Sequence, residues 1–294
     1  MRTTSLFFLC LACGHASCPE PTSRSTQGST VEASAVPAPV PSPLAEVALT
    51  PRPDLARHFE EAGFDGSFAA WRADGSGGVC VGDCETRRPA ASTFKIPHAL
   101  LALELGVLSG PDHELPWDGV DRGLEVWNHD HTLRTAIRDS TVWYFRRLAP
   151  FVGRERMQVG LERFAFGNAE IGEELDAFWL NGSLRISPRE QVAFWHRLHE
   201  DAFDVRPEAR AAVLEVTERA RDAHGVLRGK TGWYRMDGAP ENVGWFVGCV
   251  ERQERTCFAT VIHANDPMDH DAFRDARIPL SRALLAAIGL PAPE

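Results

Sequence analysis

Lysine is almost missing from this chain. Of 31 basic residues only Lys95 and Lys230 are lysine, and all the others are arginine. Arginine stays protonated at any accessible pH, whereas a desolvated lysine can shed its proton and act as a base or nucleophile. A position that needs a neutral amine therefore excludes arginine, and the two retained lysines mark where such chemistry would sit. Basic charge is scarce as well. The 41 acidic residues leave a net charge of −10, which argues against a nucleic-acid partner, because phosphate selects basic surfaces. No His-Glu-x-x-His or paired Cys-x-x-Cys is present. The stretches Asn128-His129-Asp130-His131 and His263 with Asp266, Asp269, His270 and Asp271 are thus expected to be solvated loops, and no metal is expected. No apolar run is long enough to span a bilayer, and there is no internal repeat.

What is present begins with an export signal. Arg2 supplies the positive start, Leu6 to Ala12 the apolar run and Gly14-His15-Ala16 a small-residue cleavage site. A signal peptide is expected over 1–17. The tether over 18–45 is rich in Pro, Ser, Ala and Thr, and one folded domain follows over 46–294. The product would be exported, either periplasmic or held at the outer membrane as a lipoprotein through Cys13 or Cys18. Four further cysteines, Cys80, Cys84, Cys249 and Cys257, allow three pairings in an oxidising compartment. Cys249 and Cys257 flank a turn at Arg252-Gln253-Glu254-Arg255 and could face each other, but the pairing stays open.

The order of elements is strands, a helical block, strands and a final helix. Ser67 to Trp71 and Gly78 to Val81 read as a hairpin around Asp74-Gly75. Ile96 to Leu103 reads as a buried helix with Pro97 in its first turn. Helical periodicity runs from Leu133 to Phe151, from Met157 to Phe164, from Pro188 to Leu198 with Ser187 as N-cap, and from Val213 to Arg221. Strands are expected at Val226–Trp233, Gly244–Glu251 and Cys257–His263, with a closing helix over Ile278–Ile288. This order predicts an α+β fold, an antiparallel sheet flanked by helices with an all-helical lobe inserted.

Ser92-Thr93-Phe94-Lys95 places a serine and a lysine at i and i+3, on one helix face. That spacing suits a serine nucleophile activated by a lysine one turn away. The plainer alternative is an N-cap serine followed by a surface lysine. Against it, Lys95 lies inside Phe94-Lys95-Ile96-Pro97, where desolvation would lower its pKa. Lys230-Thr231-Gly232, before Trp233, sets a fixed cation and a hydroxyl on a strand, with a glycine that would let a substrate backbone approach. Its alternative is an edge-strand lysine that discourages aggregation.

With Ser140-Thr141-Val142 as a middle serine element, these motifs are similar to those of the penicillin-recognising serine enzymes. Pro89 to Pro97, Trp117-Asp118-Gly119, Phe166-Gly167-Asn168, Phe178-Trp179-Leu180, Leu184-Arg185-Ile186-Ser187 and Gly244-Trp245-Phe246-Val247-Gly248 narrow the match. Over residues 66–290 the chain resembles the class D β-lactamases, the oxacillinases. The resemblance implies the β-lactamase and penicillin-binding-protein transpeptidase-like fold. It also implies hydrolysis of β-lactam antibiotics through an acyl-enzyme on Ser92, giving resistance. Lys95 would be N6-carboxylated by carbon dioxide, with no other cofactor, between the apolar walls of Phe94 and Val142. Trp179 would donate to that carbamate, and Ser140 would relay a proton to the leaving nitrogen. The backbone N–H groups of Ser92 and Trp233 would form the oxyanion hole. Lys230, Thr231, Gly232, Trp233 and Val142 would line the substrate site, and Arg277, or failing it Arg274, would bind the substrate carboxylate. Phe166 stands where the family usually has tyrosine. A β-lactam receptor and a peptidoglycan transpeptidase share the motifs and are the competing expectations. The first would need a membrane-spanning segment, and the short chain and Phe178-Trp179-Leu180 weigh against the second. The range of β-lactams and the oligomeric state are left open.

Overall fold

A computed structural model describes residues 48–223, 225–236, 238–239 and 241–294. The expected export signal, the tether over 18–45 and the candidate lipidation cysteines lie outside the described residues.

The described chain opens with β1 (Leu49–Pro51), α1 (Arg57–Ala62), β2 (Asp65–Arg72), β3 (Gly78–Val81) and the two-residue strand β4 (Arg88–Pro89). A 3-10 turn over Ala91–Phe94 then runs into α2 (Lys95–Glu104). The helical block contains α3 (Leu133–Arg138), α4 (Val142–Val152), α5 (Arg154–Arg163), α6 (Pro188–His199) and α7 (Pro207–Val216). Three two-residue strands lie within it, β5 (Glu114–Leu115), β6 (His131–Thr132) and β7 (Arg185–Ile186). The chain ends with β8 (Glu218–Asp222), β9 (Gly225–Tyr234), β10 (Asn242–Glu251), β11 (Arg255–Ala264) and α8 (His270–Ala287).

Seven strands form the main sheet in the order β1-β3-β2-β11-β10-β9-β8. The expected hairpin is present, with Phe68 opposite Val81. The sheet is not wholly antiparallel as expected, because its edge strand β1 runs parallel to β3. Alternation along the strands divides the core between the two faces. On β10, Val243, Trp245, Val247 and Cys249 join the cluster that holds α2, α4 and α6. Phe246 and Val250 point the other way, to Phe59 of α1 and to Phe273, Leu280, Leu284 and Leu285 of α8. Burying each such large side chain contributes about 1.5–3 kcal/mol, so both faces are firmly covered.

Two expected helices are corrected. The periodicity from Leu133 to Phe151 belongs to two helices, α3 and α4, broken at Asp139-Ser140-Thr141. Ser140 has φ 55°, a left-handed conformation that cannot continue a right-handed helix. Likewise Val213 to Arg221 is the end of α7 followed by β8, with Thr217 as the C-cap and its hydroxyl donating to Val213 O at 2.9 Å. Ser187 caps α6 as expected, accepting from Glu190 N in a capping box. The cysteines pair as Cys80–Cys84 and Cys249–Cys257, and the second pair joins residues directly opposite each other on β10 and β11.

Candidate active site

Several elements hold the turn that carries Ser92. Ala90 N donates to Leu184 O at 2.9 Å, and Trp245 Nε1 on β10 donates to Pro89 O at 2.8 Å. From α6, Gln191 Nε2 donates to Thr93 Oγ1 at 2.7 Å, and that hydroxyl donates to Ala90 O at 2.7 Å. Ala91, just before the serine, sits at φ 47°. Such a conformation costs a non-glycine residue about 1–3 kcal/mol, and these bonds hold it there. Ser92 keeps 7% of its surface exposed, enough to be approached from one side.

Lys95 begins α2 with no exposed surface, and its Nζ lies 2.6 Å from Ser92 Oγ and 3.4 Å from Ser140 Oγ. Burial lowers its pKa from 10.5 to about 7. The apolar wall beside the amine is Phe145 of α4, whose ring centre is 5.6 Å from Nζ. Phe145 stands one turn beyond the expected Val142, which is half-buried at the start of α4. Trp179 is fully buried, 5.2 Å from the Phe94 ring, and its Nε1–H has no partner. An orphaned donor in a dry pocket costs roughly 1–3 kcal/mol, and it suits an anion carried on Lys95.

Lys230 approaches Ser140 from the sheet. Its Nζ is 2.9 Å from Ser140 Oγ and 2.8 Å from Thr231 O, with Thr231 Oγ1 at 3.5 Å. The edge-lysine alternative fails, because β8 pairs outside β9 and Lys230 has no exposed surface. Burial, then the positive charges of Lys95, Arg219 and Arg277, pull its pKa well down. Two protonated amines flanking one hydroxyl would repel each other. Lys230 has the Thr231 carbonyl to solvate an ammonium, whereas the polar neighbours of Lys95 Nζ are two hydroxyls. Both amines are thus pushed toward the neutral form, and Lys230 is the one with a carbonyl at hand to solvate an ammonium.

The Ser140 turn is fixed by a segment that sequence reasoning assigned to solvent. Trp127 Nε1 donates to Asp139 O at 3.0 Å, and Trp143 Nε1 donates to Trp127 O at 2.7 Å. His131 is fully buried, with Thr135 Oγ1 2.9 Å from its Nδ1 and Val126 O and Thr141 Oγ1 3.1 and 3.3 Å from its Nε2. This part of the expected solvated loop is instead a buried clasp. His129, His131 and Asp139 do place ligand atoms within 4.8 Å of one another. Both nitrogens of His131 face other polar partners here, and its ring stacks 4.1 Å from that of His129.

Between the expected arginines the geometry discriminates. Arg274 is exposed and pairs with Asp271 and Asp275. Arg277 is buried and donates from Nη1 to Gly232 O at 2.7 Å, beside the Lys230-Thr231-Gly232 strand. Burial lowers its pKa to about 10, so it stays charged at neutral pH. Gly244 makes this reach possible, since a Cβ there would lie 2.9 Å from Phe273 and 3.0 Å from Arg277 Cδ. An isolated glycine inside a strand is the sequence signal for such a close approach. Gly232 works similarly: its Cβ would meet Thr93 at 3.2 Å and Ala90 O at 3.4 Å. Its smallness lets β9 lie against the Ser92 turn. Trp233 itself packs 6.0 Å from the rings of His270 and Phe273. Phe166-Gly167-Asn168 is a clamp: Asn168 Nδ2 donates to Ser183 O at 2.9 Å and its Oδ1 accepts from Arg185 N at 2.9 Å, while Phe166 is buried against Phe194. No tyrosine hydroxyl is required for that task.

A buried lysine between two serines, the second of which bridges to another lysine, with an arginine reaching the same strand, is the arrangement of the penicillin-recognising serine acyltransferases. Residues 79–285 match the penicillin binding protein transpeptidase domain. A class D β-lactamase from Sebaldella termitidis superposes with a TM-score of 0.79 at 30% identity, over 83% of this chain and 99% of that one. The β-lactamase OXA-48 of Klebsiella pneumoniae is 37% identical over 57% of this chain, and the aligned segment spans 63% of that relative's length. The C-terminal domain of the Bacillus licheniformis BlaR penicillin-receptor superposes with a TM-score of 0.75 at 26% identity, over 83% of this chain and 98% of that domain. The chain belongs to the class D β-lactamase family.

Proposed function

We propose that the protein hydrolyses the β-lactam ring of penicillin-type antibiotics through an acyl-enzyme on Ser92, and so gives its host resistance. The observation that carries this reading is the buried Lys95 amine, its pKa lowered to about 7 by burial and its Nζ 2.6 Å from Ser92 Oγ. In acylation Ser92 Oγ bonds to the lactam carbonyl carbon as the carbon–nitrogen bond breaks, and the serine proton leaves toward Lys95. The departing nitrogen takes a proton from Ser140 Oγ, which Lys230 polarises at 2.9 Å. The backbone N–H groups of Ser92 and Trp233 receive the developing oxyanion. Arg277, with Lys230 and Thr231, orients the substrate carboxylate.

Lys95 is proposed to work as its N6-carboxylated form. The neutral amine adds through its lone pair to the carbon of carbon dioxide, one carbon–oxygen π pair moves onto oxygen, and the nitrogen proton passes to bulk base. When in place this group supplies a general base for both acylation and the deacylating water. The unpaired Nε1–H of Trp179 supports the fit. We further propose export, either to the periplasm after cleavage of the 1–17 signal, or to an outer-membrane tether after cleavage just before a lipidated Cys13 or Cys18. No described helix is long and apolar enough to cross a membrane.

The test is nitrocefin turnover by the purified protein. Many turnovers per molecule, falling below about pH 7 and restored by bicarbonate, are expected from a lysine this strongly desolvated. A single stoichiometric burst would overturn hydrolysis and favour a receptor, and turnover indifferent to bicarbonate would overturn the carboxylated base.

A further inference from the structure

One buried polar side chain beside this site takes no part in the reaction above. His98 lies one turn after Lys95 on α2, so the two side chains share a helix face. The residue has no exposed surface, and neither ring nitrogen has a partner. A neutral imidazole always carries one N–H donor, so an unpaired donor stands in the interior here. Protonation does not rescue it. Burial, and then the charge of Lys95, push the pKa of His98 down to about 3, and the ring is neutral throughout the working range.

The surroundings fix the plane of that ring. It stacks on Phe94 at 5.3 Å and 27°, lies 5.5 Å from Phe145 and meets Trp179 edge-on at 5.7 Å. Phe145 is also the ring beside Lys95 Nζ, and Phe94 also packs against Trp179. His98 packs on Phe145, the ring that also faces the Lys95 amine, and on Trp179, so two unpaired N–H donors lie in the aromatic chamber that these rings form beside Lys95. Unpaired buried donors are costly, and native interiors rarely hold two side by side. A carboxylate on Lys95 Nζ presents two oxygens to that chamber.

We propose that His98 is a positioning residue whose ring N–H donates to one oxygen of the carboxylated Lys95 while Trp179 donates to the other. This rests on the carboxylated-lysine reading above. The role is to hold the carboxylate plane and strengthen the affinity for carbon dioxide, without exchanging a proton with substrate. A neutral donor suits the task, since a second cation in the chamber would keep Lys95 from binding carbon dioxide.

The experiment measures loading directly on the full chain. Carbon dioxide is stripped from the protein at mildly acidic pH, the pH is raised, and ¹³C-bicarbonate is titrated in while the carbamate resonance is followed by NMR. The substitution His98→Leu removes the donor, and His98→Asn and His98→Gln place an amide N–H near where Nδ1 or Nε2 stood. His98→Leu should need about ten- to a hundredfold more bicarbonate for half-loading, the worth of a hydrogen bond to a charged group. At least one amide variant should recover most of that loss. In the unsubstituted protein the ¹⁵N resonances of His98 should shift as loading proceeds, a readout that does not depend on any variant folding. Equal loading by His98→Leu, or His98 resonances that stay put on loading, overturns the inference while leaving the carboxylated lysine intact. A wild-type protein with no carbamate signal at saturating bicarbonate overturns both.

Discussion

Replacing Lys95 by methionine should abolish activity and make the protein more stable, by an amount that depends on pH in a defined direction. The amine is fully buried, and its polar neighbours are the hydroxyls of Ser92 and Ser140. A pKa lowered from 10.5 to about 7 corresponds to about 5 kcal/mol of unfavourable burial, at about 1.36 kcal/mol per tenfold change. Losing the bond to Ser92 gives back about 1 kcal/mol, and imperfect methionine packing costs up to about 1 kcal/mol more. The expected net gain at pH 6 is about 2–4 kcal/mol. For a domain of this size that is a rise in Tm of roughly 5–15 °C. The sign follows from linkage. Between about pH 7 and 10.5 the unfolded lysine holds a proton that the folded one has lost, so wild-type stability climbs with pH across that window. The advantage of K95M is thus complete below pH 7 and gone by about pH 10.5. Urea unfolding of both proteins at pH 6, 8 and 10 in degassed buffer measures it. A variant less stable than wild type at pH 6, or a gain that does not change with pH, would refute a desolvated Lys95.

Three other outcomes test the remaining geometry. Arg277→Ala should raise KM for a carboxylate-bearing penicillin by about tenfold or more, as expected when a charged hydrogen-bond partner is lost. Arg274→Ala should leave KM unchanged, because Arg274 is exposed and paired with Asp271 and Asp275; reversed effects in KM measurements would exchange the two assignments. Ser140→Gly should change thermal stability little, since the strain relieved at φ 55° offsets the lost bond to Lys230. Its turnover should nonetheless fall by about 10²–10⁴-fold with the lost proton relay, and turnover near wild type would remove Ser140 from the chemistry. Replacing Cys249 and Cys257 together by alanine should cost about 2–3 kcal/mol in chemical denaturation, from the opened loop. The value of kcat should not change, because the pair bridges β10 and β11 outside the serine–lysine cluster; a matching loss of kcat would contradict that placement.

Much of the late sheet was legible because β9, β10 and β11 are long, β-branched and bounded by turns, so local preference and burial agree. The helix over 133–151 was not. Its apolar spacing resumes at Val142 after the polar Asp139-Ser140-Thr141, and in the folded chain Trp127 and His131 hold that stretch in the break. His129 and His131 show the same limit, since the text Asn-His-Asp-His looks like solvent and only the folded chain buries His131 beneath the Ser140 turn. Arg274 and Arg277 are equivalent as residue types, one turn apart, and the gap left by Gly244 decides which one crosses the sheet.

The amino-acid sequence by itself determined which side chains are chemically able to do the work. Two lysines in a chain of arginines, one of them a helical turn from Ser92, already specify a neutral amine near a nucleophile, because local spacing along a helix brings i and i+3 together. The tertiary structure alone decided what surrounds that amine. Ser140 reaches Lys95 across 45 residues of chain and Lys230 reaches Ser140 across 90, while Trp179 packs on Phe94 from another segment. Such contacts depend on how helices and sheet pack, and desolvation, which sets the pKa of Lys95, is a property of the packed whole.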